Sequence, residues 1–388
     1  MHERKRGLLA RFNAFLRGVL LTCAVVVGGL LVAWVAVRSQ VNDEIRLEVE
    51  RRFREQYREF RVSVRHARMF EGRGVEIHGL SIARRGDGRP LVYVDEVFAA
   101  CKLDAEALLA GEKPPTEHVY LSGLRLWGER QEDGSWDIQR LWPLPRFGLS
   151  KPPVTVRDGT VEVTDPRGGV RRTLNLRDLR LEIAAQPPAT KPADAGAARI
   201  PPPTRISGRV GGDHFECVEF QALIDSTRAA WSVTGRAQGL QWSPQLLASL
   251  PLELQQQLAP ARTVNGRLDL EFRAGSGAEN SAPIAFLVKG SLADGQIRDS
   301  RLPYPLYDVR ARIELDNRHL RVDQVFARNG ASTVTLQLER RGWQDNSPLT
   351  LTAETRRLGL DQRFLEVLPR DLQALWRKYF PAGSIDAQ

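Results

Sequence analysis

The residues most able to do chemistry are scattered. Six histidines stand at His2, His66, His78, His118, His214 and His319. A zinc hydrolase needs two of them one helical turn apart with a glutamate between, so that both imidazoles reach one metal from one helix face. No pair has that spacing. There is no Gly-x-Ser-x-Gly elbow to expose a nucleophilic serine. There is no Gly-x-x-x-x-Gly-Lys-Ser/Thr loop to cradle a phosphate. Gly275-Ser276-Gly277 lacks the third glycine of a dinucleotide fingerprint. Cys23 lies in an apolar run, and Cys101 and Cys217 have no Cys-x-x-Cys partner; a disulfide between these two is one reading and two buried thiols the other. Carboxylates are numerous, but they sit at turns or alternate with apolar residues. An acid pair assembled by the fold stays open. The expectation is a protein that is not an enzyme, with no catalytic residue, no metal and no cofactor.

The chemistry that remains is apolar. After residue 60 the dominant pattern has period two: Val161 and Val163; Leu179, Leu181 and Ile183; Leu268, Leu270 and Phe272; Ile284, Phe286 and Val288; Val309, Ala311, Ile313 and Leu315; Val334, Leu336 and Leu338. Alternation puts the apolar side chains on one face of a sheet and the intervening charges on the other. Asp87-Gly88, Asp133-Gly134, Asp158-Gly159, Asn265-Gly266, Asp294-Gly295 and Asn329-Gly330 punctuate these runs, and such pairs tolerate the positive φ of tight hairpins. The predicted architecture is mainly β: an elongated, curled antiparallel sheet with short interrupting helices. About 18 strands at roughly 4.8 Å each would make a groove near 85 Å long.

Three kinds of element interrupt the strands. Asp104 caps a predicted helix that Gly111 stops, Ser243-Pro244 opens another, and Asp361 caps a third. A phrase recurs about 118 residues apart: Leu250-Pro251 with Leu254-Gln255, then Leu368-Pro369 with Leu372-Gln373, closed by Gly266 and Gly383. Each Leu-Pro breaks its helix in two, and repeats of this length imply modules stacked end to end. Residues 185–204 are rich in Pro and Ala and read as a linker between two regions, 61–184 and 205–388, or as a long hairpin insertion in one continuous sheet. Trp127, Trp136 and Trp142 cluster in sequence and are read as packing beneath a turn.

The N-terminus carries its own signal. Residues 19–37 contain no charge, and about 19 helical residues span roughly 28 Å of hydrocarbon. They are read as a retained transmembrane helix, since a cleaved signal peptide would have a shorter apolar stretch and Val35-Ala36-Val37 is a poor small-x-small site. Arg4, Lys5, Arg6, Arg11 and Arg17 precede it, so the basic segment 1–18 stays in the cytoplasm and the bulk of the chain lies outside. In a bacterium that means a single-pass inner-membrane protein with a periplasmic body. Val41, Ile45, Val49, Phe53 and Tyr57 form one stripe of an amphipathic helix over 39–60, expected to pack on the next domain. The net charge of +9 is partly local to this start, and elsewhere arginines are scattered rather than gathered in a stripe; no nucleic acid is expected as a partner.

From Val75 onward the motifs fall in a recognisable order: VEIHGLSI, LVYVDEV, a helix with Leu108, Leu109 and Gly111, HVYLSGLRLW, and a turn with Asp133, Gly134 and Trp136. This resembles the N-terminal region of AsmA-like proteins, bacterial relatives of the chorein-type bridge-like lipid transfer proteins. VRDGTVEVTD resembles the next strand of that family, and DGQIRDSRLPYPLYDVRARIEL is similar to strand pairs in its larger members. The resemblance spans about residue 8 to the end and is carried more by motif order than by any single motif. The chain stops at Gly383-Ser384-Ile385-Asp386-Ala387-Gln388, the opening of a strand, and is read as a fragment.

The resemblance implies a hydrophobic groove that takes the acyl chains of phospholipid or another lipid, lined by the alternating residues named above other than Val309 and Ala311. It also implies movement of lipid between membranes or upkeep of the outer envelope, with an outer-membrane or envelope protein as a possible partner. Alternation alone fits equally a closed sandwich of two sheets, which would make the protein a tethered scaffold.

Overall fold

The computed structural model describes residues 42–70, 72–102, 116–141, 152–186, 202–225, 230–276, 284–300, 302–344, 346–368, 370–379, 381 and 383–387. The 19–37 span, Val41, the Asp104–Gly111 helix, Trp142 and residues 187–201 of the linker lie outside them. Among the described residues no helix is long and apolar enough to cross a membrane.

A helix over 42–56 (α1) precedes the strands. The strands are β1 (Phe60–Phe70), β2 (Gly74–Arg84), β3 (Pro90–Cys101), β4 (Thr116–Glu129), β5 (Val154–Asp165), β6 (Arg172–Ala185), β7 (Thr204–Gly212) and β8 (Phe215–Asp225). They continue as β9 (Ala230–Trp242), β10 (Val264–Ser276), β11 (Ala285–Ile297), β12 (Leu306–Asp316), β13 (His319–Asn329), β14 (Ser332–Arg341), β15 (Leu349–Leu360) and β16 (Gly383–Ala387). Two helix pairs interrupt them, α2 (Pro244–Ser249) with α3 (Leu252–Gln257), and α4 (Gln362–Val367) with α5 (Arg370–Tyr379).

All sixteen strands form one open sheet in sequence order, about 70 Å along its length at roughly 4.8 Å per strand. That is shorter than the 18-strand expectation. Every pairing is antiparallel except β4 with β5, which is parallel. β6 and β7 pair directly, with Ala185 opposite Thr204, so the sheet runs unbroken past the Pro/Ala-rich stretch. No second sheet covers it among the described residues: the strands pack on their sheet neighbours and on short helices. The sandwich is therefore not the architecture.

The curl has a local cause. Asp87-Gly88 and Asn329-Gly330 lie at hairpin turns and Asp133-Gly134 at a turn after β4, as the sequence predicts. Asp158-Gly159, Asn265-Gly266 and Asp294-Gly295 instead lie inside β5, β10 and β11, where the register shifts. Positive φ recurs mid-strand at Gly79, Gly123, Asp158, Asp178, Gly239, Asp294, Asp308, Gln324 and Arg357. These bulges align: Gly159 faces Leu179 just past Asp158 and Asp178, and Gly295 faces Val309 just past Asp294 and Asp308. A bulge bends its strand and sharpens the local twist. A line of bulges across successive strands folds the whole sheet lengthwise.

The repeated phrase occupies equivalent places, after β9 and after β15. Ser243 Oγ accepts from the Leu246 N–H at 3.2 Å, and Asp361 Oδ1 accepts from the N–H groups of Arg363 and Phe364. Leu250 and Leu368 are extended, at φ −74° ψ 153° and φ −70° ψ 150°, as residues before proline must be. Their carbonyls leave the helix ladder, and a glutamine recovers each one. Gln255 Nε2 donates to Leu250 O at 3.0 Å, and Gln373 Nε2 donates to Leu368 O at 2.8 Å. The Leu-Pro-x-x-Leu-Gln spacing is thus a helix break with its own hydrogen-bond repair.

Candidate functional site

Strand pairing assembles the apolar residues into rows that cross the sheet. Val218, Ala237, Leu270, Gly290, Ile313, Val322, Leu338 and Leu351 are successive partners from β8 to β15. A parallel row runs Leu181, Gly208, Phe220, Gly235, Phe272, Val288, Leu315 and Leu320 from β6 to β13. Leu268 pairs with Leu240 and Leu292, Leu336 with Val325, and Val334 with Ala327. Val161 and Val163 face Leu176 and Leu174, and Ile183 faces Val154 and Ile206. Fifteen of the predicted lining residues thus share the inner face. Ile284 lies just before β11, 49% exposed at the rim.

Only Leu179 and Leu268 of that set are buried, and the other floor residues are half-buried. A closed core would bury them all, so the inner face of this open, curled sheet stays half-exposed. Sequence reasoning missed Leu292, Val325 and Ala327, which are buried in the distal cluster with Val309 and Ala311, and Leu240, half-buried against it. The signal was present as a slip from spacing two to spacing three, as in Val322-x-x-Val325 and Leu306-x-x-Val309, where each bulge restores the apolar residues to the same face.

The outer face is polar and ordered by charge. Arg209, Glu219, Arg236, Glu271, Lys289, Glu314, Arg321 and Glu339 are successive partners from β7 to β14, alternating in sign at every step. Arg236 and Glu271 approach to 3.2 Å, and Lys289 and Glu314 to 2.9 Å. Like charges directly opposite would destabilise the pairing, so the ladder supports the register that aligns the inner rows.

The N-terminal end is filled. Ile45, Val49, Phe53 and Tyr57 are buried along one stripe that packs with Val62, Leu91, Val94, Val97 and Val119 of β1 to β4. The segment leaving β4 turns onto the same face. Ile138 Cδ1 comes within 3.2 Å of where a Cβ on Gly128 would stand, and Gly128 pairs with Val163. Leu141 joins the buried cluster, and its carbonyl accepts the Tyr57 hydroxyl at 3.3 Å. The Asp133-Gly134-x-Trp136 motif sets this path. Asp133 Oδ1 accepts from Ser135 N–H at 2.8 Å, Gly134 takes φ 86°, and Arg130 lies 5.7 Å from the Trp136 ring centre. Asp137, buried, pairs with Arg84 and accepts the Glu129 N–H at 2.7 Å.

One buried carboxylate ties the repeated phrase to the sheet. Asp165, 2% exposed, accepts from Arg167 Nε and Nη2 at 2.9 Å each, with Arg130 Nη1 at 3.8 Å. The Leu252 N–H at the start of α3 lies near enough to favour its ionised form, and the N-cap of α3, Pro251, makes no side-chain hydrogen bond. The Arg167 guanidinium holds the Asp165 carboxyl down at about 2. Burial pushes the Cys101 thiol up; Cys101 and Cys217 are both free and buried rather than paired. Among the described residues no group of three or more His, Cys, Asp or Glu side chains could hold a metal ion.

No protein-family model matches the chain, and no curated protein matches it.

Proposed function

We propose that this protein is a membrane-anchored lipid carrier of the AsmA-like kind, whose trough shields acyl chains from water. The observation that supports it most is the inner face, which no second sheet covers among the described residues and where apolar rows cross eight strands. Such a track suits a flexible hydrocarbon that asks for no hydrogen bonds. Burying one CH₂ gains about 0.8 kcal/mol, so a long acyl chain in the trough avoids most of the cost of crossing water. Headgroups stay at the wet rims. The role requires no catalytic residue, cofactor or metal. On this reading residues 19–37 hold the chain in a bacterial inner membrane with the body in the periplasm. Phospholipid then moves toward, or helps maintain, the outer envelope with an envelope protein as partner.

The test is photo-crosslinking of the full chain in native membranes, with p-benzoylphenylalanine placed along β10. Lipid adducts are expected at Leu270 and Phe272 and not at Glu271 and Arg273. Adducts absent from all four, or equal at all four, would refute the carrier and leave a tethered scaffold.

A further inference from the structure

The outer face of the sheet carries a recess with an aromatic wall. On β4 the inner side of Gly128 is covered by Ile138, so Trp127 beside it stands on the opposite, outer face. Trp127, Glu162 and Asn175 are successive partners across β4, β5 and β6. Thr160 and Arg177 lie two residues away along β5 and β6 and share that face. Asp213, in the turn after β7, reaches back over β6: it accepts from Asn175 Nδ2 at 3.2 Å and from Arg177 Nη2. These six residues line a recess of about 250 Å³. The other residues that border it, Leu126, Val161 and Leu176, alternate with them and face inward, so the strands themselves form its floor.

The recess holds polar groups that the chain itself leaves unused. Among the described residues Glu162, half-buried, makes no hydrogen bond and no ion pair. Trp127, also half-buried, donates its Nε1–H to none of them, and no ring or cation stacks on it. Across the recess Asp213 fixes Asn175 and Arg177 as a wall with donors to spare, since an amide has two N–H groups and a guanidinium five. Two carboxylates against one guanidinium disfavour an anion, and the guanidinium disfavours a cation. A neutral ring with one apolar side and a rim of hydroxyls suits every group present. The negative face of an indole attracts C–H groups, and each hydroxyl both donates and accepts.

We propose that this recess binds a pyranose ring of a neutral saccharide. The ring stacks one side on Trp127, its hydroxyls donate to Glu162, and they accept from Asn175 and Arg177. The site lies on the face opposite the apolar rows, so a saccharide and a hydrocarbon can be held at once. Asn175, Arg177 and Asp213 are exposed, which leaves the recess open to solvent and able to take a ring within a glycan chain as well as a free sugar.

Saturation-transfer NMR tests this on the full chain in a detergent that carries no sugar. The probes are the methyl glycosides of glucose, galactose, mannose and N-acetylglucosamine, with choline as the cationic alternative. At least one glycoside is expected to bind, at about millimolar Kd, since one ring buries little surface. Trp127→Ala is expected to weaken it about tenfold by removing the stack. Glu162→Gln removes a charged acceptor, keeps the shape of the side chain and breaks no contact among the described residues. It is expected to weaken binding about fivefold or more at an unchanged melting temperature, which keeps the test decisive if Trp127→Ala loosens β4. No glycoside bound by the unaltered protein, or binding that survives both substitutions, would overturn the proposal. Choline bound in place of every glycoside, and lost in Glu162→Gln, would overturn it in favour of a cation site.

Discussion

Replacing Asp165 with Asn should loosen the first repeated phrase while leaving the distal strands intact. The carboxylate is held by Arg167, with the Leu252 N–H favouring its ionised form, and its folded pKa is about 2 against an ordinary 3.8. One pKa unit corresponds to about 1.4 kcal/mol, so the ionised form contributes at most about 2 kcal/mol of stability. Because the folded pKa is depressed, the contribution is complete above the ordinary carboxyl pKa. It is lost as pH falls through the folded value. The difference between wild type and Asp165→Asn should therefore be up to about 2 kcal/mol at pH 7, hold down to about pH 4 and vanish near pH 2. Urea unfolding followed by tryptophan emission at several pH values measures it. Hydrogen exchange locates it: amides of α2 and α3 should exchange faster in the variant and those of β12 to β14 should not. A variant as stable as wild type at pH 7, or a difference unchanged at pH 2, would refute the assignment of Asp165 as the pin.

Two further outcomes follow from the same structure. Leu270→Asp, on the half-buried floor, should remove lipid capture with less than about 1.5 kcal/mol lost, whereas Leu91→Asp, 1% exposed, should cost several kcal/mol by burying an unpaired charge; equal melting temperatures for the two would contradict an inner face that α1 covers at its start and that is half-exposed at Leu270. Glu271→Arg puts like charges opposite both Arg236 and Lys289; the expected loss is about 1 kcal/mol or less and should shrink at high salt, so a salt-independent loss would argue against an electrostatic ladder.

Much of this was legible in the chain. Period two at Leu268, Leu270 and Phe272 identified strands and their apolar side, and all three lie on the inner face. Spacing of four at Ile45, Val49, Phe53 and Tyr57 identified a helix and the stripe it buries. Ser243, Asp361 and the two Leu-Pro pairs located the helix starts and breaks. The Asx-Gly pairs were informative about backbone conformation but not about its use. Asp158 and Asp294 have the positive φ that such pairs favour, yet they bend strands rather than end them, because φ is a property of the residue while a turn or a bulge depends on whether the next strand resumes the same pairing.

What the sequence determined alone is local: which residues extend or coil, which side of each strand is greasy, and where a helix must break. Those are set by sterics and side-chain hydrophobicity within a few residues. Tertiary structure decided what lies opposite the greasy side. A sandwich and a single curled sheet demand the same alternation, and only the alignment of bulges across neighbouring strands made one open, bent sheet, with the stripe of α1 packed on β1 to β4. Those relations join residues tens of positions apart, and each depends on register, which no single strand carries.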